Sequence, residues 1–227
     1  MKLNHFVLAT LLLAGLCCEK AGAQTTVVGN RLDIHGSSNS LTTQPVGAVG
    51  DSNTLSGGYS MTIGYHNTIS GLAAFAVGQD NVIYGYRSGA VGQGNTVSPT
   101  SAMAIGTMNT INNDGNDNGH YSLVVGNLNI NTAATSSITV GTGNVVTIAA
   151  TNSSTLGNGL TNGWGQCLLV GQYNTSAIKI TTGPLPLFVV GCGTGTAAPQ
   201  NAIEVYTSGD VVIPKAQGDI LMGAFGN

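Results

Sequence analysis

The side chains best spaced to hold an ion are Asp114, Asn116 and Asn118, which place oxygen ligands at the first, third and fifth positions of a loop with Gly119 at the sixth. A Ca2+ loop of that kind needs a bidentate acid at its twelfth position, and that residue is Val125. Asp, Asn and Gly are also ordinary loop residues. The expected reading is therefore a polar insertion, with no metal and no cofactor bound.

Other chemistry is thinly supported. His35, His66 and His120 have no ligand partner at close sequence spacing, which argues against a zinc site. A Ca2+-binding roll built on Gly-Gly-x-Gly-x-Asp needs an acid in every repeat, whereas Asp51 and Asp80 stand singly. Beyond the leader the basic residues are Arg31, Arg87, Lys179 and Lys215, and no two acids fall at positions that would stack as a hydrolytic carboxylate pair. The expectation is a protein that is not an enzyme.

What the sequence does specify is a period. Gly-x-x-Asn recurs every fourteen residues, pairing Gly36 with Asn39, Gly50 with Asn53, Gly64 with Asn67, Gly78 with Asn81, Gly92 with Asn95 and Gly106 with Asn109. It continues at looser spacing with Gly126 and Asn129, Gly141 and Asn144, and Gly171 and Asn174, while Gly157 and Gly191 lack the asparagine. A unit this short cannot bury an apolar face alone and must stack on its neighbours. The reading is an all-β parallel solenoid of eleven coils over residues 24–200, followed by a C-terminal hairpin over 201–227 that caps it.

Each coil is expected to hold two short strands, since fourteen residues at about 3.3 Å give a contour of roughly 46 Å and leave no room for a helix. Before the glycine, side chains alternate. The column holding Val, Ile, Met, Phe or Leu, one and three residues before Gly, is assigned to the core. The small column two and four before it, Ser60 and Thr62, Ala74 and Ala76, Ser88 and Ala90, Ala102 and Ala104, is assigned outward as a flat contact face. Leu55, Ile69, Ile83, Val97 and Ile111 supply a second apolar row, which Asn131, Asn162 and Ser176 interrupt. Leu169, Leu187 and Val189 enlarge the small column, which suggests that this end is covered. The asparagines are expected to bond to their counterparts above and below. The tail reads as strand, Ser208-Gly209-Asp210 turn, and strand.

Lys2, an apolar stretch from Phe6 to Leu16 and Ala21-Gly22-Ala23 before Gln24 read as a signal peptide over 1–23, so export is expected. The apolar stretch is shorter than the roughly 20 residues that cross a bilayer. Cys167 and Cys192 remain after cleavage, either bonded or as two packed thiols. With 7% charged residues and a net charge of −3, nucleic acid is not an expected partner. A large surface with so little charge favours self-association.

The repeat carried by Ser60 to Ile69 and by Ala102 to Ile111, [Ser/Ala]-x-[Ala/Thr]-[Val/Ile]-Gly-x-x-Asn-x-[Val/Ile], resembles the head domain of YadA-like trimeric autotransporter adhesins. That resemblance implies a left-handed parallel β-roll, assembly as a homotrimer, and display outside the cell or on a bacterial surface, with extracellular matrix, a host surface or an envelope component as partner. The alternatives are a structural fibre or envelope component of the tail-fibre kind, and an ice-binding solenoid using the Thr62, Ala76, Ala90 and Ala104 column.

Overall fold

A computed structural model of the chain describes residues 26–28, 31–34, 38–43, 46–112, 120–132, 135–147, 149–175 and 184–214. The described residues form a parallel β-solenoid of two sheets, one of fourteen strands and one of nine. The large sheet is parallel from Arg31–Ile34 to Pro186–Cys192, with antiparallel pairings only at its two ends. Nine turns carry a strand in both sheets. The strands Leu168–Gln172 and Pro186–Cys192 extend only the large sheet, so the eleven expected coils reduce to nine two-stranded turns among the described residues.

The glycine column sets the register. Gly64, Gly78, Gly92, Gly106, Gly126 and Gly141 pair one with the next, including across the twenty-residue step from Gly106 to Gly126. At Gly78, with φ +123°, an added Cβ would lie 1.9 Å from the carbonyl oxygen of Gly92. That contact is with backbone, which cannot step aside without opening the layer.

Directly inside this corner runs an asparagine ladder. In Asn67, Nδ2 donates to Asn53 Oδ1 at 3.1 Å and to the Gly78 carbonyl at 2.9 Å, while Oδ1 accepts from the backbone N–H of Asn81 at 3.1 Å and from Asn81 Nδ2 at 2.9 Å. Each inner member thus uses both amide hydrogens and both acceptor directions, which is what makes a polar side chain tolerable in a dry interior. The ladder extends to Asn144, whose Oδ1 accepts the backbone N–H of Leu160 at 3.0 Å, and stops there because leucine has nothing to pass on.

The strand phase before the glycine is the reverse of the sequence expectation. Ala76, Ala90, Ala104 and Thr62 are fully buried, and Ser60, Ala74, Ser88 and Ala102 are nearly so. They face inward, onto the fully buried row Leu55, Ile69, Ile83, Val97 and Ile111. One large and two small side chains per coil, such as Ile69 with Ser60 and Thr62, fill the space between the sheets. Two large ones would hold the sheets at the roughly 10 Å of a conventional sandwich.

Further along, the filling changes. Asn131 Nδ2 donates to Ser137 Oγ at 2.6 Å and Asn162 Nδ2 to Thr155 Oγ1 at 3.0 Å, so these two interruptions of the apolar row meet hydroxyls from the opposite wall, while Ser176 lies outside the described residues. Leu169 and Val189 are buried because their column is interior, packing with Leu160 and Cys167, whereas Leu187 is exposed. The buried Thr139 Oγ1 has no hydrogen-bond partner. Thr139→Val, which removes that orphan at nearly constant volume, is expected to leave stability unchanged or raise it by about 1 kcal/mol in urea unfolding.

The C-terminal hairpin pairs Asn201–Tyr206 with Val211–Val212 in antiparallel fashion, with Gly209 at φ +89°. It lies against Pro186–Cys192. Within it Glu204 is buried and accepts hydrogen bonds from Asn201 Nδ2, at 2.7 Å, and from the Tyr206 hydroxyl. Burial, with Glu204 alongside, pushes the Tyr206 phenol well above its ordinary value.

Candidate interaction surface

The contact face expected at Ser60, Thr62, Ala74, Ala76, Ser88, Ala90, Ala102 and Ala104 is therefore interior and meets no partner. The same correction removes Thr62, Ala76, Ala90 and Ala104 as an ice-ordering array. Alternation along each strand places the larger column on the outside instead. Met61 is 49% exposed, Phe75 40% and Ile138 44%, and Ile63, Val77, Val140, Leu156 and Leu168 lie exposed in the same two columns. Because the strands pair in register, these side chains line up as an apolar ribbon along the outer face of the large sheet, interrupted at Gly89 and Ser154. The ring of Phe75 lies over Gly89, where a Cβ would come within 2.4 Å of it.

The nine-stranded sheet presents a different outer face. Thr54 and Ser56, Thr68 and Ser70, and Thr96 and Ser98 flank the inward Leu55, Ile69 and Val97. Tyr84 interrupts these Thr-x-Ser ranks and stands 58% exposed. The alternation around the second apolar row was the available signal for them, since its outward neighbours follow directly from the inward Leu and Ile.

The corners carry the polar and aromatic groups. His66 Nδ1 lies 2.6 Å from Asp80 Oδ1, a pair fourteen residues apart in sequence and one coil apart in space. Both are exposed at the side chain, and two ligands do not hold a metal. Among the described residues no group of three or more His, Cys, Asp or Glu is placed to bind one. Asp114, Asn116 and Asn118 lie outside the described residues, as do His35 and Gly36. His120 Nδ1 contacts the Thr100 carbonyl at 3.2 Å.

Cys167 and Cys192 are free thiols, the first buried and the second exposed. They stand in different columns, four residues before and one after their coil glycines, which directs one inward and the other outward. Burial pushes the Cys167 thiol up to about 12, leaving almost no thiolate near neutrality. In residues 24–227, iodoacetamide at pH 8 is expected to label Cys192 and spare Cys167 in the folded state and to label both in urea, as read by peptide mass. Equal labelling of both in the folded chain would contradict the inward placement of Cys167.

Among the described residues no helix is long and apolar enough to cross a membrane. No family model, curated protein or solved structure matches the chain.

Proposed function

We propose that the chain is an exported, self-associating β-roll that binds surfaces without catalysis, in the manner of the YadA-like adhesin heads whose repeat it resembles. The observation that carries this reading is the apolar ribbon on the large sheet. An outward row of Met, Ile, Phe, Val and Leu running along many layers exceeds what a free surface ordinarily presents, and a second copy of the same ribbon matches it in length, period and chemistry. Three ribbons meeting about a common axis bury them all. The polar corners and the Thr/Ser face of the nine-stranded sheet then remain outside.

Adhesion follows from repetition on that outer surface. A ligand spanning several coils, or three copies held together, multiplies weak contacts into avidity. The test is binding of the secreted chain to immobilised matrix proteins and host cells, compared with a variant that no longer associates. Binding that falls at least tenfold when association is lost supports an adhesin. Filaments, or retention in the cell envelope, with no surface binding would assign it instead to a structural fibre. A monomer that inhibits ice recrystallisation would contradict both.

A further inference from the structure

One corner of the solenoid differs from the rest. The residue five before each coil glycine from Gly64 to Gly171 adopts a left-handed conformation, with φ 57° at Tyr59, 56° at Ala73 and 55° at Arg87. Nearly equal φ in successive layers starts these three side chains off in similar directions from the backbone. They are layered by hydrogen bonds from Ala73 N–H to the Gly58 carbonyl at 2.8 Å and from Arg87 N–H to the Leu72 carbonyl at 2.9 Å. The column thus runs large, small, large: Ala73 is a floor between Tyr59 and Arg87, whose Cα atoms stand two layers, or about 9.5 Å, apart. Leu72 and Tyr86 flank it.

Both walls are solvent-facing. Tyr59 is 71% exposed. The Arg87 guanidinium rests 4.6 Å from the centre of the Tyr86 ring, a cation–π contact that directs it without neutralising it. Among the described residues Arg87 has no ion-pair partner.

We propose that this notch binds an acidic sugar, with a pyranose ring lying on Ala73 against the face of Tyr59 and its carboxylate accepting from Arg87. The two-layer gap suits the thickness of one saturated ring, whose C–H face packs on an aromatic ring. A guanidinium fork is matched to a carboxylate. A neutral sugar would leave Arg87 unused, and an acidic peptide lacks the flat apolar face that Tyr59 offers. The notch rests on the binding-module reading above and supplies its ligand class, yet it needs a single chain only.

The test uses trigalacturonic acid as probe and maltotriose as neutral comparison, followed by saturation-transfer NMR and titration calorimetry on the secreted chain. The expected result is binding of trigalacturonic acid that weakens about tenfold or more in Tyr59→Ala and in Arg87→Gln, is partly kept by Arg87→Lys, and is unchanged in Tyr65→Ala, an exposed tyrosine at the far end of the strand Ser60–Tyr65. Maltotriose should bind at least tenfold more weakly than the acid. All three positions are on the surface, and circular dichroism confirms the fold of each of the four variants. Failure of the parent to bind trigalacturonic acid, equal binding by Arg87→Gln, or maltotriose bound as well as the acid would overturn the proposal. Solution mass measured on the same samples separates this from the association reading: a trimer without uronate binding overturns the notch alone, and uronate binding by single chains supports the notch while removing the trimer.

Discussion

Asn81→Ala is expected to destabilise the solenoid by about 3–5 kcal/mol, near the upper end for a single substitution. The change deletes no large apolar group, so its effect is a matter of orphaned partners. Asn81 Nδ2 leaves the Gly92 carbonyl and Asn67 Oδ1, and the loss of Asn81 Oδ1 strands both the backbone N–H and Nδ2 of Asn95. All of these are enclosed beside the glycine corner, where the neighbouring layer leaves no space for water to replace the amide. In an array stabilised by contacts between successive layers, a fault at the fourth of nine asparagine-bearing coils weakens the layers on both sides. Urea unfolding followed by circular dichroism measures it. Asn158→Ala, at an exposed corner where the amide meets only the Tyr173 hydroxyl at 3.3 Å, should change stability by no more than about 0.5 kcal/mol. Equal midpoints for the two variants would remove the ladder from the account of stability.

Ile63→Glu combined with Val77→Glu is expected to abolish self-association while leaving the single chain folded. Ile63 and Val77 pair in adjacent layers, and both point away from the interior, so two carboxylates there are solvated in a single chain. In a closed assembly the same carboxylates would face apolar side chains of other copies without partners, and a loss of association of about 100-fold or more follows. Sedimentation velocity should show a shift to single chains with an unchanged circular dichroism spectrum. The control is Thr68→Glu with Thr96→Glu on the nine-stranded sheet, which leaves the assembly intact. If the control dissociates and the first variant does not, the wrong sheet has been assigned to the interface.

Much of this architecture was legible in the period. Fourteen-residue spacing places like residues above one another, and from that follow the glycine register, the inward row from Leu55 to Ile111 and the stacking of asparagines. The sign of the alternation before each glycine was not legible. Both columns there are uncharged, so a rule that sends the larger apolar side chains inward chose Met61 and Ile63 over Ser60 and Thr62. Volume decides otherwise: the lumen already holds Leu55 and Ile69, and the side chains opposite them are no larger than valine. The His66 and Asp80 contact was hidden for a related reason, since residues fourteen apart look remote until the coil length is applied as a distance. The end of the asparagine ladder was visible as the missing asparagine at Leu160. Its consequence, a separate apolar cluster with Cys167, Leu169 and Val189, needed the third dimension.

The central claim is that the outward ribbon of the large sheet is covered by further copies of this chain. The most direct test is the molar mass of residues 24–227 by light scattering after gel filtration, across a tenfold range of concentration. The account predicts three times the single-chain mass, constant over that range. A monodisperse single chain with its ribbon in solvent would contradict it.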